Sequence, residues 1–192
     1  MKIFAEIISR IFDFYFWSPV LLVVALFNTN LSKTQIKILL PVLVVLDFLL
    51  PLAVFVLFIK EGKISDIDIT KRKERYLIFG LGTLTFLLST IAVFFLADHL
   101  IFVLSLIVLA ISLTLFLITF RWKISGHMIM NCGAIFTINY LFGWHLMWLF
   151  LIVPLVAFAR IYLHKHTLGQ VLAGGFLGIV EPYLILRLFN LI

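Results

Sequence analysis

The sequence predicts an all-α fold: a polytopic membrane bundle of six to seven transmembrane helices. Three observations carry this expectation. The 192 residues are 64% hydrophobic and only 12% charged, about half the 25% of charge that a soluble domain carries. Mean hydropathy is +1.24. Long apolar runs recur along the chain, broken by short polar stretches, and they exceed the roughly 9 to 11 residues that a barrel strand needs. At about 20 residues per span, the length suits a single membrane-embedded domain over residues 1–192, with its core at about 60–190 and two membrane segments before it in 1–59.

The expected spans are residues 12–27, 38–59, 76–97, 100–120, 128–142, 144–161 and 168–189. Lys2 and Arg10 precede the apolar run 20–27 as in a signal peptide. No small-x-small cleavage pattern follows, because the run ends Ala25-Leu26-Phe27-Asn28, so the segment is expected to be retained. Its aromatics, Phe14, Tyr15, Phe16 and Trp17, suit an interfacial belt. The breaks between spans are Asn28-Thr29-Asn30, the charged stretch 60–75, Asp98-His99, residues 121–127, Gly143 and residues 159–167. No repeat or linker divides the chain, and a lone Cys132 excludes an internal disulfide.

Charge placement says more than the net +6. The polar segments 60–75, 121–127 and 160–167 are each two spans apart, so they are expected to emerge on one face. With the N-terminus, that face carries Lys2, Arg10, Lys60, Lys63, Lys71, Arg72, Lys73, Arg75, Arg121, Lys123, Arg160 and Lys165; the other carries Lys33, Lys37 and Arg187. Twelve cations against three place the richer face in the cytoplasm by the positive-inside rule. Setting aside Arg72, Arg75, Lys123 and Arg160 as possible site residues leaves eight against three. No nucleic-acid partner is expected.

Two polar islands carry the chemistry. In Arg121-Trp122-Lys123-Ile124-Ser125-Gly126-His127, Ser is a good N-cap and Gly lets backbone approach a ligand, so the helix start forms an anion site. Lys123 and Arg121 add positive charge and His127 is a proton donor; the plain alternative is a wet helix start with snorkelling cations. In the later island, Arg160 can grip a phosphate bidentately, as Lys cannot. His166, six residues on, heads the last span, where its imidazole can attack phosphorus or move a proton. Thr167 and Gln170 also read as a capping box. His164 and His166 form H-x-H, but no carboxylate or third His stands in register, and no metal is expected.

Together these residues resemble the type 2 phosphatidic acid phosphatase superfamily, whose helical core is shared with vanadium haloperoxidases. Its P-S-G-H signature matches Ser125-Gly126-His127, with Ile124 in the Pro place. Its S-R-x-x-x-x-x-H-x-x-x-D signature matches Arg160 and His166 at the correct spacing, with Ala159 for Ser and Gln170 for Asp. Val171-Leu172-Ala173-Gly174-Gly175 is similar to the usual continuation. K-x-x-x-x-x-x-R-P is absent as such; Asp68-Ile69-Thr70-Lys71-Arg72-Lys73-Glu74-Arg75 is the nearest material. The resemblance covers about residues 60–180.

The resemblance implies hydrolysis of a lipid phosphate or isoprenoid diphosphate without metal or other cofactor. His166 would form a phosphohistidine. His127 would protonate the leaving oxygen and then activate water. Arg160 and the Ser125-Gly126 backbone would hold the phosphoryl oxygens, with Lys123, Arg72, Arg75 and Lys71 as further phosphate ligands. Gln170, in the place of the Asp that orients the nucleophile, can accept its hydrogen bond but brings no charge; H-T-x-x-Q-V resembles the dolichyl-diphosphatase branch. The alternative is a catalytically impaired lipid-phosphate binder or transporter of the same fold. A prenyltransferase would need a D-D-x-x-D pattern, and none is present.

Two acids fall inside expected spans, Asp47 and Glu181. At about 12 to 15 residues from the cation-rich face and about 1.5 Å per residue, they lie about 18 to 22 Å deep. Intramembrane acids invite a functional reading. The plainer one is a carboxyl bonded to a neighbouring helix, with Pro51 and Pro182 leaving backbone carbonyls open.

Overall fold

The structure, a computed structural model, describes residues 1–29 and 31–192, with side chains at all of them except 14–16, 18, 19 and 27. Asn30 of the expected break and the Phe14, Tyr15 and Phe16 side chains of the expected belt lie outside the described residues. Among those described, the fold is all helical, with no strand. In order come α1 (Lys2–Ile11), α2 (Phe14–Phe27), α3 (Lys33–Leu43), a π-helical stretch (Val44–Leu49) and α4 (Leu50–Lys60). They are followed by α5 (Arg72–Leu96), α6 (His99–Thr119), α7 (Gly126–Leu141), a 3-10 turn (Met147–Leu151), α8 (Ile152–Tyr162) and α9 (Leu168–Leu188).

Four helical segments among the described residues are long and apolar enough to cross a membrane: Lys33–Lys60, Arg72–Leu96, His99–Thr119 and Leu168–Leu188. They mark the chain as a membrane protein. The other expected spans are shorter. At 16 residues, α7 extends about 24 Å, less than the roughly 30 Å of a hydrocarbon core, and α2 has 14 residues. Large apolar side chains stand exposed along the long helices, among them Phe94, Phe95, Leu117, Leu172 and Phe176, as a lipid solvent allows.

The chain forms two compact units, one of Met1–Val24 with Lys123–Ile192 and one of Ala25–Trp122. The division does not fall at residue 60, where the sequence reading began the core: the first 24 residues join the C-terminal half.

In the central unit, Ser32 opens α3 through a capping box with Gln35. The helix then runs through the π stretch into α4. Pro51 has no N–H to offer the Asp47 carbonyl one turn back, and the wider turn, with Leu50 N–H on Val45 O, absorbs that loss. Asp47 Oδ2 accepts the Ser89 hydroxyl of α5 at 3.0 Å, the neighbouring-helix bond expected of an intramembrane acid. Asp98 caps α6 by accepting Ile101 N–H at 2.9 Å, and Thr83 and Ser112 bond across the α5–α6 pair at 2.9 Å. The 60–75 loop is built on Asp66, which accepts from Asp68 N, Thr70 N and Thr70 Oγ1. That network holds Ile69 at φ +47°, a conformation β-branched residues rarely adopt.

In the other unit, α7 and α9 pack backbone to backbone. A Cβ on Gly178 would stand 2.4 Å from Ile129 O, and one on Gly174 would stand 2.7 Å from Ser125 O. Only glycine permits this approach, and it brings the head of α9 beside the head of α7, where Ser125 N–H donates to Gln170 O at 3.3 Å. Met128, Cys132, Val156 and Val171 bury themselves between α7, α8 and α9, with Ile8 and Phe12 against them. Trp17 is buried too, packed on Ala134, Ile135 and Ile138. This corrects its expected place in an interfacial belt: its indole N–H donates to Asn131 Oδ1 at 2.8 Å inside the protein. The ten-residue α1, which the span reading did not contain, lies against α8. It buries Ala5 and Ser9 while Ile3, Phe4, Ile7 and Ile11 stay exposed.

Candidate functional site

The Arg160 island is shaped by how α8 ends. His164 takes a left-handed conformation, φ +51°, so its N–H reaches Ile161 O and the Lys165 N–H reaches Arg160 O, at 2.9 and 3.1 Å. This is the Schellman closure of a helix, with His in the place glycine most often holds. His164 therefore serves as a helix terminator. The His166 N–H also bonds Arg160 O, at 3.3 Å, so the turn itself fixes His166 next to Arg160. Both are buried, at 7% and 1% exposure, which is rare for a guanidinium unless it is held by hydrogen bonds.

His166 Nδ1 stands 3.0 Å from Gln170 Oε1. The amide oxygen can only accept, so Nδ1 carries the proton and the lone pair sits on Nε2, the tautomer a nucleophile needs. The same Oε1 accepts Thr167 N–H at 3.2 Å, and Thr167 Oγ1 accepts Gln170 N–H at 3.4 Å. Gln170 is thus both the capping residue and the partner of His166. Gln170→Leu keeps the length and deletes the acceptor. It is expected to cost about 1 kcal/mol of stability as a lost cap and to lower turnover about tenfold, read by thermal unfolding and phosphate release.

The head of α7 is made differently. Ser125 is the N-cap, yet its side chain makes no capping bond; its Oγ is buried without a hydrogen-bond partner among the described residues. The first-turn N–H groups, which a helix cannot satisfy internally, are therefore not taken by the usual hydroxyl. Lys123 reaches across to the later island, its Nζ donating to Lys165 O at 3.0 Å. His127 Nε2 lies 3.2 Å from Ser9 O and 3.5 Å from Asp13 Oδ1.

Ser9 ties the pieces together. Its Oγ accepts from Arg160 Nη1 at 2.6 Å while its carbonyl faces His127. Ser9 thus bridges Arg160 and His127. Arg160, His166, Gln170, Ser125, Gly126, His127 and Lys123 all belong to this unit.

Arg72, Arg75 and Lys71 belong to the central unit, where each has a local partner. Arg72 Nη1 donates to Arg121 O at 2.8 Å, so the start of α5 and the end of α6 meet. Arg75 is buried, with Nε on Ile69 O at 2.8 Å and its guanidinium over the Phe79 ring. Lys71 pairs with Glu74 at 3.2 Å. Sequence reasoning missed Ser9, Asp13 and Asn131. The signal present was an acid, Asp13, set within the aromatic run Phe12 to Trp17.

Comparison with protein-family models, with curated proteins and with solved structures finds no match to the chain.

Proposed function

We propose that this protein is an integral membrane phosphatase that hydrolyses a lipid phosphate or isoprenoid diphosphate through a phosphohistidine, without a metal, in the manner of the type 2 phosphatidic acid phosphatase superfamily. One observation carries the reading: a buried guanidinium and a buried imidazole locked together by the Arg160–His166 turn, with His127 one residue's span from Arg160.

The His166 Nε2 lone pair attacks phosphorus, and the P–O bond to the lipid breaks as His127 gives its proton to the leaving oxygen. His127 next takes a proton from water, whose oxygen attacks phosphorus. The P–N bond breaks, returning His166 and releasing inorganic phosphate. Arg160 and the first-turn N–H groups of α7 stabilise charge on the phosphoryl oxygens through both steps. The acyl or prenyl chain lies between membrane segments, of which the chain has six to seven, with α2, α7 and α8 as the shorter ones, and the site is at the cytoplasmic face. Labelling of a cysteine introduced at Lys63 by an impermeant maleimide decides that orientation, since Cys132 is buried.

Alkaline quenching of purified protein with phosphorus-radiolabelled phosphatidate and polyprenyl diphosphate is expected to trap acid-labile, alkali-stable label on His166, and vanadate is expected to inhibit release. A second reading is favoured by Gln170, which lacks charge, and by Ser9 already seated on Arg160: a lipid-phosphate binder without turnover. Binding of either lipid with neither trapped label nor phosphate release would establish that reading instead.

A further inference from the structure

We propose that Asp13, from the turn between α1 and α2, is the carboxylate of this site, and that it works as a positioning residue on His127 rather than on the nucleophile His166. The inference rests on the phosphatase reading and adds to it a residue outside both matched signatures.

Gln170 leaves His166 with a neutral partner. The other imidazole has a charged one: Asp13 Oδ1 lies 3.5 Å from His127 Nε2, beside the Ser9 carbonyl at 3.2 Å. The carboxylate does not stand there by accident of a loose end. Asn131, one turn below His127 on α7, is fully buried and uses its whole amide to fix this turn. Its Nδ2 donates to Phe12 O at 2.8 Å and to His127 O at 2.7 Å, while its Oδ1 accepts from buried Trp17. Phe12, just before Asp13, and Trp17, one helical turn after it, are thus both tied to the helix that carries His127. A buried amide with every link made is costly to disturb.

The consequence is a division of labour between the two histidines. An anion at Nε2 holds that proton in place and stabilises the imidazolium, leaving Nδ1 as the nitrogen that passes a proton to the leaving oxygen and later takes one from water. The carboxylate orients and charges the acid; it touches neither substrate nor phosphorus. Proton donation matters in proportion to how poor the leaving group is, which separates this role from a purely structural one.

The test compares kcat/KM for two substrates in purified protein, because kcat/KM reports the steps up to leaving-group departure. For a lipid alkyl phosphate, Asp13→Asn is expected to lower it about 100-fold. For p-nitrophenyl phosphate, whose phenolate leaves without help, the expected loss is less than about fivefold, and Asp13→Glu restores most of the lipid phosphate activity. Equal losses on both substrates, or an unchanged lipid phosphate rate, overturn the proposal while leaving the phosphatase reading intact. Should Asp13→Asn not fold, Asp13→Glu and Asn131→Ala carry the same comparison: the first retains the carboxylate, and the second loosens the turn and reproduces the leaving-group dependence. A wild-type protein that hydrolyses neither substrate and traps no phosphohistidine overturns the phosphatase reading, and the role of Asp13 with it.

Discussion

His166→Ala is expected to abolish phosphate release, by about 1000-fold or more, and to eliminate the acid-labile, alkali-stable phosphoprotein. Removing a nucleophile takes away the covalent route itself, and residues acting as a unit lose nearly everything singly. Arg160→Ala in the same protein should therefore add little to the deficit. The fold should survive, since alanine keeps the backbone bond of residue 166 to Arg160 O and the side-chain bond to Gln170 that is lost is worth about 1 kcal/mol. His164 supplies the internal control. It is two residues away and differs in role, holding the left-handed turn at φ +51°. His164→Gly suits that conformation and should keep turnover within a few-fold. Phosphate release that persists in His166→Ala and is lost in His164→Gly would overturn the assignment of the nucleophile.

Composition and apolar run length made the helical class legible, because nothing but helices or closed barrels satisfies backbone in lipid. Helix ends were also legible where side chains decide them locally. Asp98 and Thr167 cap their helices with their side chains, and Thr167–Gln170 forms the box its spacing implies. What could not be read is tertiary. α1 has ten residues, too few for any span criterion, and Ser9 reaches Arg160 across 151 positions. Trp17 looked interfacial because an indole suits a wet boundary; its N–H is satisfied by Asn131 instead, a partner 114 positions away that only packing selects. Gln170 looked like a choice between capping and catalysis, whereas an amide oxygen has two lone pairs and serves both His166 and Thr167.

Gly178→Leu is expected to collapse the folded yield, and even Gly178→Ala should destabilise by about 3 kcal/mol, at the upper end of overpacking costs. The atoms a Cβ would meet are Ile129 O at 2.4 Å and Cys132 Cβ at 2.9 Å. These are backbone and the root of a side chain, so neither can swing aside, and α7 must move off α9. Gly175, three positions earlier, is the contrast. Its added Cβ meets only Cys132 Sγ at 3.5 Å and Met128 Cε at 3.7 Å, ordinary contacts, and alanine gains about 1 kcal/mol in helix propensity. Gly175→Ala should therefore be neutral or stabilising in detergent thermal unfolding. Gly174→Ala tests the link from packing to chemistry. Its Cβ would press on Ser125 O at 2.7 Å, at the head of α7 where Ser125 N–H meets Gln170 O. Displacement there separates His127 from His166, and a shift of about 1 Å in such a pair can cost about 100-fold. Gly174→Ala should accordingly lose turnover well beyond its loss of melting temperature, whereas Gly178→Ala should lose the two together. Turnover in Gly174→Ala that follows stability alone would mean the α7–α9 contact holds the fold without setting the geometry of the two histidines.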